Sequence, residues 1–433
     1  MDKVIKKAKS LKGKLRVPSD KSISHRAIIL SALANGTSIV RNFLKAGDTL
    51  TTVDVYRKMG IQIDEEHGLF FVHGKGLDGL KEPDDVLYMG NSGTTTRLTL
   101  GVIAGQRFFA TLTGDSSLRK RPMKRVLSPL KMMGAHVDGR EKGEYLPVAI
   151  RGGNLRGIEF FNERASAQVK SAILLAGLTI SRKTTVIEPV MSRDHTERML
   201  KSMGAKIKTE FDEGGYKVHI LGGKDLKAID IDVPADPSSA AFFVAGAVLV
   251  EGSEVLLEEV LINPTRDGFF RKLKEMGANI EYINQRQQAG EPIADVLVKY
   301  SPNLKAVSVE KQEIPSMIDE LPLLALVATQ AEGETIIKDA KELRVKESDR
   351  IKAVVENLKV LGVEVKELED GMIIKGKQKI KGGVIESYKD HRIAMGFSIL
   401  GLISEEGITI KDAECATISY PDFYNDLGKL VSW

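Results

Sequence analysis

Leu130–Val137 reads LKMMGAHV, and nearly the same phrase returns as LKSMGAKI at Leu200–Ile207 and LKEMGANI at Leu273–Ile280. Looser copies stand at Tyr56–Ile63 (YRKMGIQI) and Leu358–Val365 (LKVLGVEV). One structure explains all five: an amphipathic helix stops at a glycine, which accepts the left-handed cap conformation, and a short alternating strand follows. Gly60, Gly134, Gly204, Gly277 and Gly362 recur at intervals of 74, 70, 73 and 85 residues. That period exceeds the roughly 20–50 residues of a solenoid repeat, so compact packing of several units around shared cores is expected.

A second phrase runs out of phase with the first: an apolar helix, a polar turn, then a β-branched strand. Its six copies begin at Ile29, Leu98, Ile173, Phe243, Leu324 and Ile399, which gives 433/6, or about 72 residues per unit. A third phrase, strand, glycine- or proline-marked turn, strand, recurs as FVHGKGLDGL, VAIRGGNLRG, VHILGGKDLKA, VLVKYSPNLKA and IIKGKQKIKGG. Each unit therefore holds two helices and about four strands, and three units per globule predict two similar α/β domains. The natural boundary is IDVPADPSSAA around Val233–Asp236, where two prolines separate a strand from a long apolar helix. A cleft between the halves is the expected ligand site.

Composition excludes several classes. With 42% hydrophobic and 28% charged residues and 14 prolines, the chain is neither collagen-like nor disordered. Lys and Arg number 63 against 59 Asp and Glu, and a net charge of +4 is far from the footprint of a nucleic-acid binder. The longest nearly apolar stretch, Ala240–Val250, is shorter than the roughly 20 residues that cross a bilayer. The N-terminal MDKVIKKAKSLKGKLRV does not read as a signal peptide, and the single cysteine, Cys415, predicts a reducing cytoplasm. Two motifs fail on context. GKGLDG at residues 74–79 matches a dinucleotide turn but opens no helix, and GMIIKGKQ at Gly371–Gln378 reads as a strand, with Gln378 where a P-loop needs Ser or Thr. His67, His73, His136 and His219 read as surface or strand residues; no metal site and no cofactor are predicted.

The informative anomaly is at the starts of the second-phrase helices. Lys21, Ser22 and Arg26 open the first, with Ser22 and Arg26 four apart on one face. Cations at a helix N-terminus oppose the helix dipole, and an anion bound there is the simplest explanation. The second opens Gly90–Arg97 with small residues that let a ligand approach backbone N–H groups, and the third opens Ser166, Ala167, Gln168, Val169, Lys170. The fourth, Pro237–Ser239, reads as a plain cap; Asp319 and Glu320 precede the fifth, and Asp390, His391 and Arg392 open the sixth. Further cations cluster in SLRKRPMKR after Gly114, in SRDHTERM, and in LRVKESDRI, where Lys346 and Arg350 are expected on one helical face beside Glu347. Each cluster alone reads as surface ion pairing. Together they describe a cationic cleft with a few carboxylates, suited to small polyanionic substrates and proton transfer.

Nine segments, SDKSISHRA, GNSGTTTRL, GDSSLRKRPM, SAQVKSA, SRDHTERM, DELPLLAL, RVKESDRI, KDHRIAM and SYPDF, resemble the 5-enolpyruvylshikimate-3-phosphate synthase family. The wording of GNSGTT, SRDHTE and SYPDF is similar to the bacterial class II form. The resemblance spans the chain in order. It implies an inside-out α/β barrel, enolpyruvyl transferase-like, with two domains of three βαβαββ repeats each: residues 20–232, and 1–19 plus 233–433, with the active site in the interdomain cleft. It also implies transfer of the enolpyruvyl group of phosphoenolpyruvate to shikimate 3-phosphate, on the route to chorismate and aromatic amino acids, by a cytoplasmic monomer without cofactor, metal, nucleic acid or membrane partner.

By the same resemblance, Lys21, Ser22, Arg26, Ser166, Ala167, Gln168, Asp319 and Lys346, with Arg193, hold shikimate 3-phosphate. Lys21, Gly93, Arg121, Gln168, Arg350 and Arg392 hold phosphoenolpyruvate, arginine forks being suited to planar anions. Asp319 is the implied base for the attacking hydroxyl and Glu347 the acid at C3, with Lys21 the alternative proton donor. Ile418 stands where some members carry a lysine before the final S-Y-P-D, so no phosphate contact is assigned there. Two alternatives are carried forward. The sister transferase acting on UDP-N-acetylglucosamine usually has a cysteine in the loop that here reads GDSSLRKR, and an RNA-binding repeat module would need aromatics interleaved with the basic run.

Overall fold

A computed structural model describes residues 1–433. The five phrase glycines all take left-handed backbone, with φ of +84° at Gly60, +113° at Gly134, +89° at Gly204, +94° at Gly277 and +78° at Gly362. Each ends a helix (Gly47–Lys58, Lys124–Met133, His195–Ser202, Gly268–Glu275, Arg350–Val360) and turns the chain into a strand. A side chain at these positions would strain the turn.

The repeat is seen whole in residues 159–221. Strand Glu159–Phe161 leads to helix Ala167–Gly177, strand Lys183–Glu188, helix His195–Ser202, and the hairpin Lys206–Asp212 and Gly215–Leu221. The first strand pairs parallel with the second, the second antiparallel with the fourth, and the fourth antiparallel with the third. Strands Leu87–Tyr88, Phe109–Thr113, Val148–Arg151 and His136–Gly139 repeat that order, as do Ser308–Val309, Glu334–Ile337, Gly371–Lys375 and Val365–Leu368.

Two repeats borrow their first strand from far along the chain. Ala34–Arg41 pairs in parallel with Leu226–Lys227 and Ile231–Asp232, and Glu254–Leu261 pairs in parallel with Ser10–Leu15. The sixth repeat lacks its hairpin; Lys3–Ile5 pairs antiparallel with Ile408–Lys411 in its place. The chain thus forms two compact units, Ser19–Pro234 with Gln287–Glu291, and Met1–Pro18 with Ala235–Arg286 and Pro292–Trp433.

Within each unit the first helices of the three repeats touch one another and the sheets lie outside them. Gly101 permits the tightest of these approaches: a Cβ there would lie 2.3 Å from the Ala172 carbonyl oxygen. Helices Pro237–Leu249 and Leu321–Ala328 are buried at every residue. Such helices are apolar around their whole circumference, which fits a core position and not a solvated face. None of the helices is long and apolar enough to cross a membrane. Cys415 is buried in the short 3-10 segment Ala413–Ile418.

Candidate active site

Four of the six inner helices open to solvent, and only near their N-terminal ends. Helix Lys21–Ala32 is buried except at Lys21 and Ser22, Gly93–Ala104 except at Thr94 and Arg97, Ala167–Gly177 except at Ala167 and Gln168, and His391–Gly401 except at Arg392. Lys21, Ser22, Ala167, Gln168 and Arg392, all expected ligand positions, are among those the packing leaves accessible, whereas Arg26 and Gly93 are buried. The starts are ordinarily capped after all: Asp20 accepts from Ile23 N, Ser92 from Thr95 N, Asp236 from Ser238 N and Ser239 N, and Asp390 from Arg392 N. Glu320 and Ser166 make no such bond: Glu320 instead accepts from Arg392, and the Ser166 hydroxyl, standing at the N-cap, is left for a ligand.

In the unit formed by Ser19–Pro234, Lys21 pairs with Asp48. Arg26 is only 3% exposed; its guanidinium donates to Thr196 Oγ1 at 2.8 Å, Ser171 Oγ at 3.0 Å and the Ser22 carbonyl at 3.0 Å. Burial pushes its pKa down to about 10, against Glu197 and Asp20. Arg97 donates to Gln168 Oε1 at 2.5 Å and to the Pro122 carbonyl at 3.2 Å, and Gln168 Nε2 donates to Thr94 Oγ1 at 3.0 Å. Arg97 is likewise pushed down to about 10, by burial first and then by Arg125 and Arg121. Exposed Arg121 reaches Asn91 Oδ1 at 2.5 Å, and Asn91 donates to Asp115 Oδ2 at 2.7 Å. Gly93 lies beneath both arginines: a Cβ there would be 3.1 Å from Arg97 Nη1 and 3.5 Å from Arg121 Nη1.

The other unit gathers its charges around Asp319. Arg350 Nη1 stands 3.5 Å from the Asp319 carboxylate, and Lys346 Nζ and Arg392 Nη2 stand 3.8 Å from it. Arg350 is 1% exposed; Nε donates to Asp390 Oδ2 at 2.8 Å and Nη2 to Glu347 Oε2 at 2.6 Å, while Nη1 has no hydrogen-bond partner. Burial disfavours the Asp390 charge, but Arg350 outweighs it and holds the carboxyl below its ordinary range. Arg392 donates to Glu320 Oε1 at 3.1 Å and the Asp319 carbonyl at 3.2 Å. Burial opposes its charge, yet Asp319, Glu320 and Asp236 raise its pKa above the arginine norm.

Three sequence expectations need correction. Lys346 and Arg350 share no helical face, because Asp349 caps the helix that begins at Arg350 and Lys346 lies in the preceding loop, paired with Glu342 at 2.8 Å. Lys170 faces no anion site; it is fully buried between Glu188 at 3.0 Å and Glu197 at 2.8 Å, since its helix packs on all sides. The fourth helix is capped by Asp236, which also binds Arg266 at 2.8 Å, and not by its serines. The resemblance assigns Arg97 no role; its standing as the one charged residue of helix Gly93–Ala104 was the available signal. No group of three His, Cys, Asp or Glu side chains is arranged to hold a metal ion.

The family model described as EPSP synthase (3-phosphoshikimate 1-carboxyvinyltransferase) matches residues 5–427. A 3-phosphoshikimate 1-carboxyvinyltransferase of Sulfurihydrogenibium sp. (strain YO3AOP1) is 69% identical over 430 residues, which cover 99% of this chain and 100% of the relative. One from Aquifex aeolicus is 54% identical over 431 residues, covering all of both chains. A solved structure of EPSP synthase from Acinetobacter baumannii superposes with a TM-score of 0.93 at 46% identity, covering 99% of this chain and 98% of that one.

Proposed function

The chain belongs to the EPSP synthase (3-phosphoshikimate 1-carboxyvinyltransferase) family, and from that premise we propose the roles of its residues. The enzyme transfers the enolpyruvyl group of phosphoenolpyruvate to the 5-hydroxyl of shikimate 3-phosphate and releases phosphate, a step of the shikimate pathway to aromatic amino acids. The UDP-sugar and RNA-binding alternatives fall with that assignment. A monomer working in the cytoplasm is part of the proposal.

Shikimate 3-phosphate is held by Lys21, Ser22, Arg26, Ser166, Ala167, Gln168 and Lys346, with Arg193. The uncapped Ser166 hydroxyl and the open first turn at Ala167 and Gln168 support this, since backbone N–H groups and the helix dipole there favour a phosphate. Arg26 acts from beneath, fixing Ser22 through its carbonyl. Phosphoenolpyruvate is held by Lys21, Gln168, Arg121, Arg350 and Arg392 over Gly93. The observation that carries this assignment is Arg350: a buried guanidinium with Nη1 unbonded, beside a carboxylate, is a donor kept ready for an anion.

In the first chemical step the 5-hydroxyl oxygen bonds to C2 of phosphoenolpyruvate, its proton passes to Asp319, and C3 takes a proton from Glu347. In the second, the C2–O bond to phosphate breaks, phosphate leaves with the bonding electrons, and C3 returns its proton, restoring the vinyl group. Asp319 suits the base because Lys346, Arg350 and Arg392 stand 3.5–3.8 Å from its carboxylate, close enough to orient it. Glu347 pairs with Arg350, and an anion drawn to Arg350 competes for that contact and frees the carboxyl. Lys21 remains the alternative donor. Phosphate release at saturating substrates tests the pair: Glu347→Gln should lower turnover with binding retained, and unchanged turnover moves the acid role to Lys21.

A further inference from the structure

Behind Ser166 lies a buried polar node with no assigned part in the reaction. Glu188 ends strand Lys183–Glu188 and is fully buried. Its carboxylate accepts from Asn162 Nδ2 at 2.7 Å, Lys170 Nζ at 3.0 Å, Ser192 N at 3.1 Å and Ser192 Oγ at 2.8 Å. Asn162, just past the neighbouring strand Glu159–Phe161, donates from the same Nδ2 to the Ser166 carbonyl at 3.0 Å and accepts from Ala165 N at 2.9 Å. Lys170 also donates to the Ser192 carbonyl at 3.3 Å and pairs with Glu197. One carboxylate thus joins two separate loops, one ending at Ser166, the other carrying Ser192 and Arg193.

Two carboxylates and an ammonium taken out of water are a costly way to fill a core, and well-packed apolar groups of similar volume often serve stability as well or better. What such a network supplies instead is direction. The Asn162 amide fixes the carbonyl of the residue whose hydroxyl is left uncapped, and the Ser192 N–H and hydroxyl are both turned onto Glu188, which fixes the backbone that presents Arg193.

We propose that Glu188 is a positioning residue for shikimate 3-phosphate, holding the Ser166 loop and the Ser192–Arg193 loop in one register through Asn162, Ser192 and Lys170. This rests on the assignment of Ser166–Gln168 to that substrate. Glu188 touches no reacting atom and acts through the groups it orients.

The test is steady-state kinetics on the full-length enzyme with each substrate varied in turn. Glu188→Ala should raise the KM for shikimate 3-phosphate by about tenfold or more, since misplacement of about an ångström is felt strongly in such sites. The KM for phosphoenolpyruvate should rise far less, since of its ligands only Gln168 adjoins the Ser166 loop, and Glu188→Gln, which keeps the shape and part of the bonding, should recover part of the loss. Asn162→Ala cuts the link to Ser166 while leaving the Lys170 ion pairs, and should give the same one-sided KM effect, smaller, even if Glu188→Ala fails to fold. A lowered melting temperature with both KM values unchanged in the folded variants would overturn the proposal, as would an equal rise in both. Ser166→Ala and Gln168→Ala, measured alongside, separate the two readings. If they leave the KM for shikimate 3-phosphate unchanged, the substrate assignment falls and takes the proposal with it; if they raise it while Glu188→Ala and Asn162→Ala do not, only the positioning role falls.

Discussion

The two units repeat one architecture, yet three arginines in each are hydrogen-bonded by opposite means. In Ser19–Pro234 the partners are neutral: Gln168 and a carbonyl for Arg97, Asn91 for Arg121, hydroxyls and a carbonyl for Arg26. In the other unit they are carboxylates: Asp390 and Glu347 for Arg350, Glu320 for Arg392, Asp236 for Arg266. The pKa directions are consistent with this: burial, then Arg125 and Arg121, push Arg97 down, whereas at Arg392 burial is outweighed by Asp319, Glu320 and Asp236. Cations with neutral partners at helix starts attract an anion, whereas a set of acids and bases such as that around Arg350 and Arg392 can also move protons without changing its net charge. One repeat thus serves two tasks by changing the partners.

The largest expected effect breaks that set of acids and bases at its centre. Asp319→Asn keeps the shape but removes the base, and kcat should fall by about 10²–10⁴-fold, with both KM values within a few-fold of the parent. Rapid-quench or phosphate-release measurements read this directly. Full turnover would leave that set without its proposed role.

A second comparison sets Arg350 against Arg121. Arg350→Met strands Asp390, which is fully buried, without its counter-charge, and truncating one side of a buried pair costs about 3–5 kcal/mol. Arg121→Met removes an exposed side chain from a neutral partner and should change stability by less than about 0.5 kcal/mol. Its expected effect is instead on binding, a rise in the phosphoenolpyruvate KM of about tenfold, the scale of one charge-assisted hydrogen bond. Chemical denaturation and KM measurements on both variants would separate the units; equal destabilisation would erase the distinction.

Much of this was legible in the sequence, for reasons that also mark where reading stops. Gly60, Gly134, Gly204, Gly277 and Gly362 expose the repeat because their backbone turn leaves few alternatives. Lys21, Gln168 and Arg392 were findable because polar residues on largely buried helices are costly unless they sit at an open end. Lys170 was misplaced by the same feature: with every face buried, a spacing of four from Ser166 says nothing about exposure. Lys346 was misplaced because Asp349, a better cap, starts the helix later than charge spacing suggests. The pairing of Ser10–Leu15 with Glu254–Leu257 has no local signal, since the partners lie about 240 residues apart.

Each unit also carries a histidine near the open end of a helix, which allows a finer comparison. His25 is pushed down to about 3 by burial and then by Lys21 and Arg26; His391 is pushed down to about 4 by burial and then by Arg392. Both are therefore neutral in the fold, whereas the unfolded chain takes up a proton near pH 6.5. Between pH 6.5 and the folded value the unfolded state binds more protons, so each histidine lowers stability as pH falls through that window, at up to about 1.4 kcal/mol per pH unit. Melting temperature should drop from pH 7 to pH 4. His25→Asn and His391→Asn should each flatten that slope, with His25→Asn acting over the wider window. An unchanged slope in both would place the acid sensitivity elsewhere.

The smallest expected effect is also the most local. Gly93 is the first residue of its helix, where alanine is conformationally acceptable and lowers the entropy lost on folding, so Gly93→Ala should hold or slightly raise the melting temperature. Its methyl would nevertheless sit 3.1 Å from Arg97 Nη1 and 3.5 Å from Arg121 Nη1, tighter than ordinary contact at the first. Both neighbours are the far ends of flexible side chains and can give way by a few tenths of an ångström. The cost therefore falls on the anion that those guanidinium groups are proposed to hold, and not on the fold. The expected result is a rise in the phosphoenolpyruvate KM of about threefold to tenfold, which is roughly 0.7–1.4 kcal/mol of binding, with the shikimate 3-phosphate KM unchanged. Because the neutral-partnered arginines of this unit have no carboxylate to restrain them, they should yield more readily than Arg350 or Arg392 could. An equal effect on both substrates would mean the methyl disturbs the helix start itself, and the contrast between the two units would lose its most sensitive probe.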